Sequence, residues 1–223
     1  MVKIVIVFKR KPGMPVEAFQ HHWRTVHAGL IARLPGLRRY VQSHVLPVSY
    51  RKSEPAFDAV AESTFDDTQA MKSLAGTAAY ADVLADEPNF IDGATMRSIV
   101  TDELVVKDLP PPADGVKSIT LMTRRAGMPI DAFRAYWQDV HGPLCAAVPA
   151  VRRYVQNPTR RAIYDSGRTP AFDGAAMTWF DSLDALRAAA PTPEFARLRE
   201  DVAQFVAADA SPSVLTQEHV VVA

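Results

Sequence analysis

Short apolar runs alternate along the chain with longer stretches whose apolar residues recur every three or four positions. Ile4–Phe8 is a β-branched run closed by the Pro12-Gly13 turn signal, and it predicts a strand. Pro15 suits the first turn of a helix, where its missing N–H costs nothing. Over Val16–Leu34, residues Phe19, Trp23, Val26, Leu30 and Leu34 step by three and four, which predicts one apolar helix face. Leu37–Gln42 and Phe57–Phe65 read as the second and third strands. Asp66–Ala85 is Ala-rich and reads as a helix broken near Gly76, and Ile99–Val106 closes as a fourth strand.

The pattern then repeats. Shifted by 114, Lys3–Gln42 falls on Lys117–Gln156 without a gap, with 18 identities in 40 positions. Gly13-Met14-Pro15 meets Gly127-Met128-Pro129, and Arg38-Arg39-Tyr40-Val41-Gln42 recurs as Arg152-Arg153-Tyr154-Val155-Gln156. After one inserted residue the shift becomes 115, and Phe57-Asp58, Phe65-Asp66, Phe90 and Glu103 meet Phe172-Asp173, Phe180-Asp181, Phe205 and Glu218. The chain is a tandem duplication of a unit of about 110 residues. Strands of the second copy are expected near Ile119–Thr123, Val151–Gln156, Ala171–Phe180 and Val214–Val222. The domain reading is residues 1–106, a stiff Pro-rich linker over 107–116, and residues 117–223.

Strand–helix–strand–strand–helix–strand is the ferredoxin-like arrangement. Such a unit covers one sheet face with helices and leaves the other bare. Two copies therefore predict an α+β fold in which two ferredoxin-like βαββαβ repeats form a dimeric-type α/β barrel, an internal pseudo-dimer. Whether that fused pair dimerises further is open.

Composition narrows the function classes. Lys and Arg number 25 against 25 Asp and Glu, so the basic excess of a nucleic-acid or polybasic membrane-surface protein is missing. The single cysteine, Cys145, excludes an internal disulfide framework and a multi-Cys zinc site. Ile4–Phe8 is too short for a signal-peptide core or a membrane span, and a cytoplasmic protein is the expectation.

His27 follows Trp23 by four residues and Phe19 by eight, so all three share the sheet-facing side of the first helix, and Tyr40 stands on the next strand. His141, Trp137, Phe133 and Tyr154 repeat the spacing. A histidine moves protons at neutral pH and a phenol donates to a developing oxyanion. A satisfied core histidine and an ordinary strand aromatic explain the same spacing, and duplication copies both kinds of residue. One face of the third strand reads Phe57, Ala59, Ala61, Ser63, Phe65, and its copy Phe172, Gly174, Ala176, Thr178, Phe180. Small residues between aromatics leave room for an apolar pocket, unless a bulky side chain such as the tryptophan fills it.

Weaker candidates surround these. Cys145 follows His141 by four, which permits a Cys–His nucleophile or a small buried residue. His21 and His22 are adjacent, and no HExxH spacing exists, so no metal site is expected. One Arg of each Arg-Arg pair, Arg153 in the second copy, could turn to the pocket and hold a carboxylate, or make a plain surface or interface salt bridge. Without a GxGxxG, Walker A or GxSxG motif, no cofactor is expected.

The run Phe133-x-x-x-Trp137-x-x-x-His141-Gly142-Pro143-Leu144, then Arg153-Tyr154-Val155-Gln156, Phe172-Asp173-Gly174 and Trp179-Phe180, resembles the EthD domain family of the dimeric α/β-barrel superfamily. Phe19, Trp23, His27, Leu30, Arg39-Tyr40-Val41-Gln42 and Phe57-Asp58 carry it in the first copy. The resemblance implies a fused form of a domain that usually works as a homodimer. Relatives include proteins of ether-degradation operons, a methylmuconolactone isomerase, and decarboxylase- or dehydratase-like proteins of polyketide pathways. In the isomerase-like relatives a helix histidine and a strand tyrosine sit in the pocket; the matching positions are His27/Tyr40 and His141/Tyr154. The first copy departs from the pattern with His27-Ala28-Gly29-Leu30, with Ala59 for Gly174 and with Thr64 for Trp179, which favours the second pocket.

The expected function is therefore a cofactor-independent isomerase- or lyase-type enzyme acting on a small apolar oxygenated metabolite, such as an aromatic catabolite, lactone or polyketide-like ring. His141, Tyr154, His27 and Tyr40 would be the catalytic groups. Trp137, Trp23, Arg153, Phe172, Gly174 and Phe57 would contact substrate. The rivals are a non-catalytic binder of hydrophobic ligands in a degradation pathway, a cofactor-free quinol oxygenase, and an interaction scaffold with filled pockets.

Overall fold

A computed structural model describes all 223 residues. The chain divides into two compact units, Met1–Val100 with Glu218–Ala223, and Thr101–Gln217. Each is α+β.

The first unit runs β1 (Val2–Arg10), α1 (Val16–His22), a π-helical turn (Trp23–His27), α2 (Ala28–Ile31), β2 (Leu37–Val45), a 3-10 turn (Pro47–Tyr50), β3 (Ala59–Phe65), α3 (Thr68–Lys72), α4 (Ala78–Phe90) and β4 (Ile91–Thr101). Its strand order is β4-β1-β3-β2, the ferredoxin-like order. The second unit runs β5 (Leu104–Asp108), β6 (Val116–Met122), α5 (Ile130–Tyr136), a π-helical turn (Trp137–His141), α6 (Gly142–Ala147), β7 (Val151–Pro158), α7 (Arg161–Asp165), β8 (Gly174–Phe180), α8 (Leu183–Ala189), α9 (Pro193–Phe205), a 3-10 turn (Ala208–Ala210) and β9 (Ser213–Val222). There the order is β9-β6-β8-β7-β5, the same four-strand set with β5 added on β7.

Three boundaries differ from the sequence expectation. The predicted fourth strand straddles two elements, because Asp102 and Glu103 separate β4 from β5. Lys107 and Asp108, expected in the linker, end strand β5 and pair with Tyr154 and Arg153. The last six residues join the first unit, where Glu218 meets Arg39 and the ring of His219 stands 4.7 Å from that of His44.

The long amphipathic helix is present but re-phased. In each copy a π turn inserts one residue: the Ala28 N–H donates to the Trp23 carbonyl, and the Gly142 N–H to that of Trp137. The inserted residue turns Val26 and Val140 outward, 48% and 42% exposed, which corrects the predicted face. Phe19, Trp23, His27, Ile31 and Leu34 are the buried set. Burying Phe19 and Phe90 contributes roughly 1.5–3 kcal/mol each. Gly76, at φ +86, ends the turn after α3 in the left-handed region, and Thr77 caps α4 by accepting the Tyr80 N–H.

The repeated Phe-Asp pairs also have a structural use. Asp58, fully buried, accepts from the Arg10 backbone N–H at 2.8 Å, from Arg10 Nη1 and from the Tyr50 hydroxyl, both at 2.6 Å. Asp173 does the same with Arg124 and Tyr164. These clamps fix the exits of β1 and β6, and hence where the helix after each begins.

Candidate active site

The π turn places the histidine. At Trp137–His141 the widened helix leaves the Trp137 carbonyl reachable from the sheet, where Gln156 Nε2 of β7 donates to it at 2.7 Å. Gln42 holds Trp23 in the same way at 2.8 Å. His141 thus faces the sheet, 6% exposed, with its ring 6.5 Å from that of Tyr154 and 4.9 Å from that of Phe205.

A carboxylate orients the ring. His141 Nδ1 lies 2.7 Å from Asp201 Oδ2 of α9, and Tyr136 donates to Asp201 Oδ1 at 2.6 Å. The first unit has His27 Nδ1 3.0 Å from Asp86 Oδ2, with His22 Nε2 on Oδ1 at 2.8 Å. A carboxylate only accepts, so the neutral ring carries its proton on Nδ1 and its lone pair on Nε2. Burial lowers the His141 pKa, and the hydrogen bond and charge of Asp201 oppose that pull; His27 and Asp86 show the same balance. Burial also acts to raise the Asp86 carboxyl, but its hydrogen bonds from Asn89, His22 and His27 together hold it below the usual range.

Neither aspartate was among the candidates read from sequence. Their signal was present, since the 115-residue shift sets Asp86 on Asp201, four residues before Phe90 and Phe205.

The tyrosines are fixed as predonated acceptors. Tyr154 Oη accepts from Trp137 Nε1 at 2.8 Å and, more weakly, from Gln156 Nε2 at 3.5 Å. It donates to no protein atom, so its hydroxyl hydrogen is available. Burial raises the Tyr154 pKa and keeps the phenol protonated. Tyr40 accepts from Trp23 and Gln42 at 3.2 and 3.4 Å, and burial pushes it up to about 12.

A cavity of about 290 Å³ opens between helices and sheet of the second unit, with His141, Cys145 and Tyr154 in its wall. Leu186, Phe195, Leu198, Val202 and Val206 supply an apolar side; Ser118, Thr120, Thr178 and Ser213 supply hydroxyls from the strands. At the sites matching Ser118, Thr120, Met122 and Cys145, the first unit carries Ile4, Ile6, Phe8 and Ile31, all packed in its core. Larger side chains fill there what the second unit leaves open.

The structure does not bring every sequence candidate to this cavity. Trp137 is buried behind it, and a Cβ on Gly174 would stand 2.6 Å from the Trp137 ring, so the gap at Gly174 is filled by that tryptophan. Trp23 stacks on His44 at 4.5 Å. Arg153 does not reach the cavity: strand alternation sends it away from Tyr154, onto Trp179 at 5.3 Å and toward Asp108 at 3.1 Å. Phe172 and Phe57 stand beside the Asp173 and Asp58 clamps, outside the cavity wall. Burial pushes the Cys145 thiol up to about 12, which disfavours the thiolate a Cys–His nucleophile requires. No group of three or more His, Cys, Asp or Glu side chains is arranged to hold a metal ion.

Whole-chain likenesses to solved structures are likenesses of fold. The chain is similar to an anthrone oxidase-like protein at 13% identity and TM-score 0.68, covering 99% of this chain and 93% of that one. A candidate monooxygenase from Fusobacterium nucleatum subsp. nucleatum gives 11% identity and TM-score 0.64 over 98% and 93%. A chlorite dismutase from Candidatus Nitrospira defluvii gives 10% and 0.55 over 99% and 92%. No curated protein sequence matches the chain. These likenesses support the α+β, ferredoxin-like class that includes the dimeric α/β-barrel proteins. The EthD domain pattern matches twice, over residues 11–94 and 125–209, together most of the chain. The chain belongs to the EthD domain family, as two EthD domains in tandem.

Proposed function

We propose that the second unit is a cofactor-independent enzyme that moves a proton on a small, largely apolar, oxygenated metabolite held in the cavity beside His141. The observation that carries this reading is the convergence on one cavity of a carboxylate-oriented histidine with Nε2 unbonded and a tyrosine with an undonated hydroxyl. His141 Nε2 takes a proton from a carbon or hydroxyl of the substrate. Charge develops on a substrate oxygen, where the Tyr154 O–H donates. The proton then returns from Nε2 to another atom of the same molecule, giving an isomer, or leaves with an eliminated group. A cavity at the lower edge of the usual ligand range of roughly 300–1,000 Å³ suits one or two rings.

A second reading shares the first step. A quinol or anthrone deprotonated by His141 is electron-rich enough to reduce dioxygen, and the name of the anthrone oxidase-like structure favours keeping it. The experiment is a mass-spectrometric screen of muconolactones, quinols and aromatic polyketides under air and under nitrogen, with His141→Ala alongside. Product from the wild type that the variant fails to make supports the enzyme, and a requirement for air selects the oxygenase. Saturable binding without product supports a ligand-binding protein.

A further inference from the structure

The cavity has one charged residue whose charge nothing answers. Arg199 of α9 is in its wall, exposed, between Leu198 and Val202. Its one interaction is with the Phe195 ring, 5.9 Å from the guanidinium carbon, and it makes no ion pair. Most arginines on this chain behave otherwise: Arg10, Arg38, Arg124, Arg134 and Arg161 all meet a carboxylate. Asp201, two residues on, is occupied by His141 and Tyr136. Across the cavity, the Ser118 hydroxyl has no hydrogen-bond partner, and Thr178, its cross-strand neighbour on β8, lines the same wall.

The duplication supplies a comparison inside one molecule. Leu84 stands where the second unit has Arg199, and Ile4 where it has Ser118. The unit whose core is filled has apolar residues at both places. The unit with the open cavity has a cation at the rim and a hydroxyl inside.

We infer that the cavity of the second unit takes an anionic ligand, a ring compound bearing a carboxylate, with Arg199 anchoring the carboxylate at the rim and the ring lying inward against Ser118 and toward His141. This inference rests on the proposed function and adds the charge of the substrate. Arg199 is a positioning and selectivity residue here, since the proton chemistry lies with His141. It takes the carboxylate-holding place expected of Arg153, which the strand turns toward Trp179 and Asp108. A guanidinium at an open rim gives orientation and selectivity while staying hydrated, and its attraction weakens with salt.

The test uses a matched pair of probes, salicylate and its neutral isostere salicylamide, with the full chain. Binding is followed by calorimetry and by the NMR signal of the His141 ring. The wild type should bind salicylate at least tenfold more tightly than salicylamide, with the preference shrinking as salt rises. Arg199→Gln should lower salicylate affinity to that of salicylamide and leave salicylamide unchanged. Equal affinities in the wild type, or an equal loss of both in the variant, would overturn the anionic ligand while leaving the cavity reading intact. If neither probe moves the His141 signal, both the inference and the cavity reading fall. Arg199→Lys separates charge from shape: it should retain a salt-sensitive preference for salicylate.

Discussion

Asp201 Oδ2 lies 2.7 Å from His141 Nδ1, and this contact leaves Nε2 as the free nitrogen of the imidazole. Burial alone would pull the His141 pKa down further than it goes, because Asp201 stabilises the charged ring. Asp201→Asn should therefore lower the His141 pKa below its wild-type value, as read by NMR titration of the ring. It should also reduce turnover by on the order of a hundredfold, because the ring loses its fixed tautomer. An unchanged pKa in the variant would mean that the pair does not hold in solution.

The tyrosines give a paired test of structure against chemistry. Tyr154→Phe and Tyr40→Phe each leave a buried indole N–H without its acceptor, at a cost of about 1–3 kcal/mol. Both variants should lose stability to a similar degree in urea unfolding. Turnover should fall only in Tyr154→Phe, because Tyr40 stands in the filled unit. Equal loss of activity in the two variants would assign chemistry to both copies.

Acid should destabilise the protein through its buried histidines. His44 is pushed down to about 3 by burial, with the charges of His219 and Arg24 adding to the effect. An unfolded histidine takes its proton near 6.5, so between that pH and about 3 the unfolded state binds a proton that the folded state refuses. Stability therefore falls as pH drops through this window, by up to about 1.4 kcal/mol per pH unit for this one group. His44→Gln should flatten the dependence of unfolding free energy on pH between 6 and 4, measured by urea denaturation.

The open cavity should close when it is given the side chains of the other copy. Ser118→Ile with Cys145→Ile restores the residues found at Ile4 and Ile31. The double variant should keep its fold, raise its melting temperature or leave it unchanged, and bind no ring compound by calorimetry. Gly174→Ala should act in the opposite direction on stability, since its methyl group meets the Trp137 ring at 2.6 Å; a loss of about 1–3 kcal/mol is expected.

Much of this was legible in sequence because duplication turns one pattern into two. The repeat, the strand order and the His–Tyr spacing all follow from residues that the 114-residue shift superposes. The π turn was not legible: its extra residue is held by Gln42 and Gln156, donors from a later strand that helical periodicity does not see. Without that turn, helical periodicity places Val26 inside. Asp201 carries no signal within one repeat, because α9 meets α6 and the π turn at Trp137–His141 only in the fold. The small-residue face of β8 points to the pocket in part: Ala176 and Thr178 line the cavity, while Trp137 takes the space at Gly174, so the opening lies toward Ser118 and Cys145.

The central claim, proton transfer by His141 in the second unit, is tested most directly by solvent deuterium exchange. Muconolactones, quinols and aromatic polyketides would be incubated in D2O with the wild type, His141→Ala and His27→Ala, and deuterium incorporation read by mass spectrometry. The wild type and His27→Ala should label at least one compound at a carbon or carry it to product, and His141→Ala should do neither. Labelling that survives in His141→Ala, or that disappears in His27→Ala alone, would contradict the assignment.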